Sequence, residues 1–546
     1  MQPLHFEPGH EIAPLIEADE TFAEIERAID TAAHEVFMAY WTLAPHLSLV
    51  TDAQEDWIGL LTRAARRGVR FRILLADFDP VFTLSLHRDA WRTFHRLRSV
   101  AALDGVAPEA MQVICSRNLA LPNLAERLAG QVAAQFELRS ITGRLNTEAD
   151  GDPEAARAIH ASAPGLWPHL ALADGRFRKR RPHMIRPLPG SHHEKICIVD
   201  RRTAFVGGLD IGERRYDTAD HEDDSPWHDL ACRVRGPSVA RLTEHFIARW
   251  NVECREYSAY VDALPNRDGH EAITLKTLET LSVDDLPPDP AQPGAGEVAV
   301  ASAPVRNADR PEHRSGDIAS AVRHVIGSAR RFIYVESQYL RESRVVDWIT
   351  DAASRHPDLE VVMLLPIAPE RLDPDGEWSS ATRHGHWLQL RNIRRLKQEL
   401  GDRFGVFTLL SRQTEQSSDD PEDIGLGARS VYVHAKAIIV DDEVAMIGSA
   451  NLNGRSFSLD TETALVWREP DAVRQFRDRL WRHHLAEMLP DDFDPMRDSG
   501  LTLWNLASAR NRVARTADRP GFAVALEMDW AATNARRSLF IRNRFV

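Results

Sequence analysis

The sequence predicts two homologous α/β lobes, each a mixed β-sheet flanked by helices, packed about a pseudo-two-fold axis with one shared active site. Three observations support this fold class. A short motif recurs at a fixed offset, helix-like and strand-like segments alternate before each copy, and a Pro/Gly-rich stretch separates the two copies. Helices that alternate with strands are typical of sheets covered by helices on their faces. At 546 residues, the chain is long enough for several domains or for two large ones.

The strongest signal is an internal repeat. The segment HHEKICIVDRRTAFVGGLDIGERRYD starts at His192, and VHAKAIIVDDEVAMIGSANLNGRSFS starts at Val433. Aligned without gaps, His193 falls on His434, at an offset of 434 − 193 = 241 residues. The same offset aligns Lys195 with Lys436, Asp200 with Asp441, Gly208 with Ser449, and Asp210 with Asn451. So many matched polar positions at one spacing indicate a duplicated structural unit.

The repeat extends upstream as alternating helices and strands. Residues 20–41 and 316–339 each combine an apolar spacing typical of helices with a following strand rich in aromatic and β-branched residues. Residues 56–78 and 346–366 again give a helix, a turn and a strand. Each half is therefore βαβ-like and ends in the strand that follows its histidine.

Local composition places the boundary between the lobes. The stretch PPDPAQPGAG at 287–296 neither continues a helix nor pairs in a sheet. We therefore expect an N-terminal lobe at 1–262 with the first motif, a linker at 263–296, and a C-terminal lobe at 297–495 with the second motif. Residues 496–546 form a C-terminal extension to which the sequence assigns no role.

Composition favours a soluble, cytoplasmic globular protein. With 67 Lys and Arg against 81 Asp and Glu, the formal charge is −14, which argues against general coating of nucleic acid. The four cysteines form no CxxC pair, so neither a thiolate zinc site nor a disulfide framework is indicated. No apolar run approaches the roughly 18–20 residues of a membrane span, and the first residues lack the basic-then-apolar order of a secretory signal.

The two motifs bring the same pair of side chains together. Residues two apart in a strand share a face, so His193 projects with Lys195, and His434 with Lys436. Lobes packed about a two-fold axis would place two imidazoles and two ammonium groups in one site. Such a set suits phosphoryl transfer, because lysines neutralise a phosphate while one neutral histidine attacks phosphorus and one protonated histidine donates a proton to the leaving oxygen.

These residues resemble the HKD motif of the phospholipase D superfamily, in which HxK is followed after four residues by D. Both copies match in full, and GSANLNGRS at 448–456 matches the GSxN extension of that family. The first copy has GGLD at 207–210 instead, which departs from GSxN but resembles the GG(I/L)D form of phosphatidylcholine-type phospholipases D. Four further segments are similar to that branch: HHEK at 192–195, PWHD at 226–229, HFIARWN at 245–251 and YVESQYL at 334–340.

The resemblance implies a metal-independent phosphodiesterase that forms a phosphohistidine intermediate. It implies His193 as the nucleophile and His434 as the acid, although the sequence itself does not distinguish the two. In the family a carboxylate orients each catalytic histidine through its other ring nitrogen, which controls the tautomer. The best local matches for these carboxylates are Asp229 and Glu462, each at the start of an apolar strand.

The other motif positions have smaller expected roles. Ser449 and Asn451 are expected to hydrogen-bond phosphate oxygens, and Gly208 is expected to let the phosphate approach the backbone. The ionised aspartate that aligns with Asn451 in the first copy cannot donate to phosphate, which makes the site asymmetric. Asp200 and Asp441 complete the predicted catalytic motifs, and we expect them to fix the turns by accepting backbone N–H bonds.

The favoured function is a phospholipase D that converts glycerophospholipids to phosphatidic acid and free headgroup, or exchanges the headgroup. A cardiolipin synthase-like phosphatidyltransferase is the alternative, and a nuclease of the same superfamily is disfavoured by the charge of −14. We expect a monomer acting peripherally at a membrane surface, with water or an alcohol as acceptor and no nucleic-acid partner. No metal or cofactor is expected, since no cluster with metal-ligand spacing appears and two lysines supply positive charge. The headgroup is not predicted, and secretion without a signal peptide stays open.

Overall fold

The chain folds into two α/β halves, as seen in a computed structural model, and 17 strands of the part that the structure describes join in one sheet while two more form a separate hairpin. The predicted linker at 263–296 lies outside the described residues except for Gly294 and Gly296. The structure describes residues 4–118, 124–180, 184, 185, 187, 188, 190–262, 294, 296–303, 317–368, 379–414, 428–527, 535–538 and 541–546.

The N-terminal half alternates strands and helices. Its elements are β1 (Glu7–Ile16), α1 (Glu17–Asp30), β2 (Glu35–Tyr40), α2 (Trp57–Arg66), β3 (Arg70–Asp77), α3 (Leu84–Ser99), β4 (Met111–Arg117), α4 (Leu124–Ala149), α5 (Pro153–Ala161), β5 (Leu170–Ala173), β6 (Arg176–Lys179), β7 (Ile196–Val199), β8 (Thr203–Gly207), β9 (Trp227–His228), β10 (Leu230–Arg235) and α6 (Ser238–Asp262).

The C-terminal half repeats this plan and carries the extension. Its elements are β11 (Gly296–Ala303), α7 (Asp317–Gly327), β12 (Phe332–Glu336), α8 (Ser343–Arg355), β13 (Glu360–Leu364), α9 (Ser380–Leu400), β14 (Phe404–Thr414), β15 (Ala428–Val433), β16 (Ala437–Val440), β17 (Val444–Gly448), β18 (Glu462–Arg468), α10 (Pro470–Leu485), α11 (Gly500–Val513) and β19 (Ala523–Ala525).

The two halves share one strand order. In the first half the order is β4-β3-β2-β7-β8-β10-β1, with β2, β3 and β4 parallel and the other neighbours antiparallel. In the second half the order is β14-β13-β12-β16-β17-β18-β11, with the same pattern of directions. Strands β1 and β11 pair antiparallel and connect the two sheets. The predicted fold of two homologous lobes with mixed sheets is confirmed.

The helices form where the apolar spacing predicts them. Helix α1 buries Phe22, Ile25 and Ile29, which lie three and four residues apart on one face. Helices α2, α7 and α8 precede β3, β12 and β13 in the same way, so the four predicted helix–strand pairs are all present. Among the helices that the structure describes, none combines the length and the apolar character needed to cross a bilayer.

Two parts of the chain were not anticipated by the repeat. Elements α4 to β6 are inserted between β4 and β7 and have a small core of their own, which includes Leu138, Ile141 and Phe177. The C-terminal extension packs onto the second lobe, because β19 pairs with β14 and Trp504 of α11 lies 5.7 Å from Trp481. The extension therefore completes the second lobe.

Candidate functional site

The two motif histidines are held by backbone hydrogen bonds that cross between the lobes. His434 directly follows β15, which runs parallel to the two-residue strand β9 of the first lobe, and its N–H donates to the carbonyl of His228 at 2.8 Å. On the other side, the N–H of His193 donates to the carbonyl of Thr461 at 3.1 Å. Each motif is therefore anchored to a segment of the opposite lobe.

An acidic residue follows each of these two carbonyl groups, Asp229 after His228 and Glu462 after Thr461. Each lobe thus supplies a carboxylate to the histidine of the other lobe, and we call these two the exchanged carboxylates. His193 Nδ1 lies 3.1 Å from Glu462 Oε2, and His434 Nδ1 lies 2.6 Å from Asp229 Oδ2. Both carboxylates are fully buried. The two acids predicted to orient histidines thus contact histidines, each in the other copy of the repeat.

Burial and nearby positive charge keep both imidazoles neutral. Burial lowers the pKa of His193 and of His434 well below the usual range, and both motif lysines lower it further. The charges of both motifs therefore act on both rings. Burial also raises the pKa of Glu462 to about 7, and it raises the pKa of Asp229.

The two lysines have different partners. Lys195 Nζ donates to the carbonyl of His193 at 2.8 Å and forms an ion pair with Asp210 at 3.3 Å. Lys436 Nζ donates to the carbonyl of His434 and also lies 2.9 Å from Nδ1 of that ring. Burial lowers the pKa of Lys436 to about 7, and it lowers the pKa of Lys195 as well. A bound phosphate would favour the charged form of both ammonium groups.

The site is asymmetric at the position where the repeat has Asp210 and Asn451. Asp210 accepts hydrogen bonds from the N–H groups of Trp41 and Thr42, at 2.9 and 3.0 Å, so its carboxylate holds the end of β2. The side-chain oxygen of Asn451 is buried and has no hydrogen-bond partner among the described residues. A buried polar atom without a partner is costly, and this oxygen, which only accepts, would suit a donor group of a ligand. Donation from the amide nitrogen to phosphate stays a prediction.

The two small residues of the motifs lie against the exchanged carboxylates. Ser449 Oγ donates to Glu462 Oε2 at 2.5 Å, and the N–H of Gly208 donates to the carbonyl of Leu230 at 3.0 Å. A Cβ added at Gly208 would lie only 2.0 Å from Asp229 Oδ1. Ser449 thus binds one exchanged carboxylate, and Gly208 leaves room for the other. The predicted contact of these two residues with phosphate stays a prediction.

The motif aspartates bind the backbone of a neighbouring strand. The carboxylate of Asp200 accepts from the N–H groups of residues 33–35, at 2.8, 2.8 and 2.9 Å. The carboxylate of Asp441 accepts from those of residues 330–332, at 2.6, 2.9 and 2.8 Å. Both aspartates have positive φ angles, 50° and 55°. Both aspartates accept hydrogen bonds from backbone N–H groups, as expected. These N–H groups belong to the start of β2 and β12, however, and not to the turns in which the aspartates lie.

Sequence reasoning missed a buried arginine in the site. Arg215 forms an ion pair with Asp210 at 2.6 Å, and its guanidinium lies 4.9 Å from the ring of Trp227. Its charge contributes to lowering the pKa of His434 and of Lys436. The repeat alignment places the neighbouring Arg214 on an arginine of the second copy, so the available signal pointed one residue away from it.

Comparisons with known proteins add to this geometry. A family profile described as Phospholipase D matches residues 222–365, and one described as Cardiolipin synthase, PLD-like domain, matches residues 322–484. Phospholipase D alpha 1 of Nicotiana tabacum is 26% identical over 549 aligned positions, and phospholipase D alpha 2 of Arabidopsis thaliana is 25% identical over 556. Each alignment covers 86% of this chain and 64% of the relative, so the chain spans just under two thirds of the length of these proteins.

A solved structure supports the architecture. The phosphatidylserine synthase of Haemophilus influenzae Rd KW20 matches with a TM-score of 0.50, and the match covers 88% of each chain. The two sequences are 12% identical, so this likeness concerns the fold.

Proposed function

Because the chain belongs to the phospholipase D superfamily, we propose that it cleaves the phosphodiester bond of a glycerophospholipid in two steps through a phosphohistidine. The reciprocal contacts between the two histidines and the exchanged carboxylates support this proposal most directly. A Nδ1–H that donates to a carboxylate leaves Nε2 of the same ring free to act on the substrate. Two such rings in one site supply a nucleophile and an acid.

In the first step, one imidazole attacks phosphorus and the bond to the headgroup oxygen breaks. We assign the attack to His193, whose side chain is 14% exposed, whereas that of His434 is 4% exposed. The leaving oxygen takes a proton from Nε2 of His434. The negative phosphate next to His434 raises the pKa of that ring from its depressed value, so binding of the substrate itself charges the acid.

In the second step, the roles reverse. Neutral His434 takes a proton from water or from an alcohol, whose oxygen attacks phosphorus while the P–N bond to His193 breaks. Water gives phosphatidic acid, and an alcohol gives a new phosphodiester. The ammonium groups of Lys195 and Lys436 and the amide of Asn451 are placed to stabilise the phosphate oxygens in both steps.

The acceptor decides between the favoured function and its alternative. A lipid hydroxyl as acceptor would make the enzyme a cardiolipin synthase-like phosphatidyltransferase, and the profile with that description covers residues 322–484. We favour the phospholipase D reaction because the relatives that align with 86% of the chain are named phospholipase D. Peripheral action at a membrane, a monomeric state and a cytoplasmic location remain predictions from the sequence.

A panel of phospholipid vesicles tests this function. Vesicles of phosphatidylcholine, phosphatidylethanolamine or phosphatidylglycerol are incubated with the enzyme in excess EDTA, with and without ethanol, and the lipids are analysed by mass spectrometry. We expect phosphatidic acid from at least one headgroup, phosphatidylethanol when ethanol is present, and neither product with His193→Ala. Cleavage of oligonucleotides without any action on lipid would refute the proposal, and so would an absolute requirement for an added divalent ion.

A further inference from the structure

A second group of buried titratable side chains lies where the lobes meet, outside the phosphate site. We name it the interlobe cluster, and its members are Glu17, His221, His228 and His483. One ligand atom from each member lies within 4.8 Å of those of all the others. The first three come from the first lobe and are fully buried, and the fourth comes from α10 of the second lobe. The cluster escaped sequence analysis because its members lie in four separate segments.

Three of the distances within the cluster are close to those expected around a tetrahedral metal ion, whereas Glu17 and His228 are in direct hydrogen-bond contact and would have to separate to bind it. Glu17 Oε1 lies 3.1 Å from His483 Nε2 and 3.5 Å from His221 Nε2. The two Nε2 atoms are 3.3 Å apart. Zn²⁺ with ligands at about 2.0–2.1 Å in tetrahedral geometry has ligand–ligand distances of about 3.3–3.4 Å. The three distances between ligand atoms given above, 3.1, 3.3 and 3.5 Å, lie within about 0.3 Å of this value.

In two of the three histidines, the ring nitrogen that faces away from the cluster is bound to a carboxylate. His221 Nδ1 lies 2.7 Å from Asp217 Oδ2, and His228 Nε2 lies 2.8 Å from Glu336 Oε2. Asp217 is fixed in turn by the N–H of Trp227 at 2.7 Å. A carboxylate behind a histidine is the usual arrangement at protein-bound zinc, because it sets the tautomer and makes the ligand nitrogen more basic.

The backbone holds two members in an unusual conformation. Glu17 has a φ angle of 66° and His221 one of 53°, both in the left-handed region. Residues other than glycine adopt this region at a cost and keep it only where the surroundings require it. Both residues contribute a ligand atom to the cluster.

From these observations we propose that the interlobe cluster binds one Zn²⁺ ion that joins the two lobes. Four protein ligands leave no open position, so the ion is structural and takes no part in phosphoryl transfer. It would also fix His228, whose carbonyl receives the N–H of His434 and whose neighbour Asp229 orients the same histidine. The inference is independent of the proposed reaction, because the metal content of the protein can be measured whether or not lipid is cleaved.

The competing arrangement has a proton in place of the metal. His228 contacts both Glu17 and Glu336, and as an imidazolium it would neutralise one of these buried carboxylates. In that arrangement the Nε2 atoms of His221 and His483, 3.3 Å apart, share an N–H···N hydrogen bond. With the metal, both lone pairs point instead at the same ion, and the two arrangements differ in metal content.

The first test measures the metal content of the full chain. Protein purified in excess EDTA is analysed by inductively coupled plasma mass spectrometry, and we expect about one zinc per chain, released only on unfolding. His483→Ala should contain less than about a tenth of a zinc. The matched control His34→Ala changes an exposed histidine and should keep the full content. A wild-type protein without zinc, whose thermal unfolding is also unchanged by added Zn²⁺, would overturn the proposal in favour of the imidazolium.

The second test identifies the ligand even if His483→Ala does not fold. His483→Cys replaces one zinc ligand by another, and it should retain the ion. Produced with Co²⁺ in place of Zn²⁺, this variant should show a thiolate-to-cobalt absorption band in the near ultraviolet that the cobalt-loaded wild type lacks. A cobalt-loaded variant whose spectrum matches the wild type would show that position 483 is not a ligand.

Discussion

Each motif imidazole contacts an acid of the opposite lobe through Nδ1, and this contact determines which ring nitrogen can act on the substrate. Nδ1 of His193 faces Glu462, and Nδ1 of His434 faces Asp229. Only the two Nε2 atoms remain for chemistry. Because burial keeps both rings neutral, either could attack phosphorus, and the choice depends on which of them acquires a proton when the anionic substrate binds.

The roles of the two histidines can be separated with a substrate whose leaving group needs no acid. With a p-nitrophenyl phosphodiester, His434→Ala should still form the phosphoenzyme and then stop, while His193→Ala should form none. Both variants should lose at least about 10³-fold in turnover of a natural lipid, because each removes an essential group. Mass spectrometry of acid-sensitive adducts in rapidly quenched enzyme would locate the phosphate on the peptide that contains His193. An adduct on His434 would reverse the assignment of roles, and no adduct in either variant would exclude the covalent mechanism.

A methyl group at position 208 should lower kcat because it would displace the carboxylate of Asp229. The added Cβ of Gly208→Ala would lie 2.0 Å from Asp229 Oδ1, so the carboxylate must move away from His434. We expect kcat to fall by about 10²-fold, as for other small displacements of catalytic groups. In Asp229→Ala the same change should have little further effect. Gly212→Ala is the control, because its Cβ would meet no atom closer than 3.6 Å, and equal losses in the two alanine variants would contradict this explanation.

The buried acid of the second lobe should leave a signature in the pH dependence of stability. Burial raises the pKa of Glu462 from 4.5 to about 7. Between these values the native state keeps a proton that the unfolded chain has lost, so the contribution of this group to the free energy of unfolding falls as the pH rises. Glu462→Gln cannot ionise, and its stability should fall less from pH 5 to pH 7. Urea unfolding at several pH values measures the difference, with exposed Glu443→Gln as control. Parallel curves for wild type and Glu462→Gln would contradict the shift.

At the scale of the elements, the sheets are held in register by the aspartates that end the motif strands. Each accepts three backbone N–H groups at the start of a parallel strand, β2 in the first lobe and β12 in the second. These N–H groups belong to the junction between a helix and a strand. The motif aspartate therefore joins the strand after each histidine to the βαβ unit that precedes it.

Replacing Asp441, the more buried of the two motif aspartates, should lower the free energy of unfolding but have little effect on kcat. Asp441 is 4% exposed, whereas Asp200 is partly exposed, so Asp441→Ala should lower the free energy of unfolding more. Loss of three hydrogen bonds to a charged acceptor suggests roughly 2–4 kcal/mol. Asp441→Asn keeps one acceptor and tolerates the positive φ, and it should lie between wild type and alanine. Chemical denaturation gives the energies, and kcat of the folded fraction should stay within a few-fold. A loss of kcat as large as that of His434→Ala would instead give Asp441 a catalytic role.

The sequence predicted the elements of the repeat because they follow from local periodicity. Helices α1 and α7 and the strands after them were predicted from apolar spacing, and the two acids near the histidines were identified from the family motif. Which acid serves which histidine was not predicted, because this depends on pairing between segments over 200 residues apart, such as Val433 with His228. The interlobe cluster was missed for the same reason, whereas Arg215 was missed because the repeat alignment marks its neighbour Arg214. The inserted elements α4 to β6 lie outside the repeat, so the second copy gives no guide to them.

At the scale of the whole molecule, the site belongs to neither lobe. The lobes are joined by β1 with β11, by β9 with β15, and by the ion pair of Arg479 with Glu20 at 2.8 Å. Beyond these contacts, each lobe supplies the carboxylate for the histidine of the other. An isolated lobe would therefore keep its histidine and lysine and lose the acid that sets the tautomer of the ring.

This exchange makes a prediction about divided enzymes. The halves 1–262 and 297–546, expressed separately, should each be inactive, and co-expression should restore phosphodiesterase activity through a one-to-one complex. Restoration should fail when the first half carries Asp229→Ala, although that half keeps its own histidine, because His434 in the second half then loses its partner. The pseudo-symmetry allows one exception, since a homodimer of one lobe would place its acid against the histidine of the second copy. Light scattering on the active species distinguishes these cases, and a monomeric lobe with full activity would contradict the exchanged site.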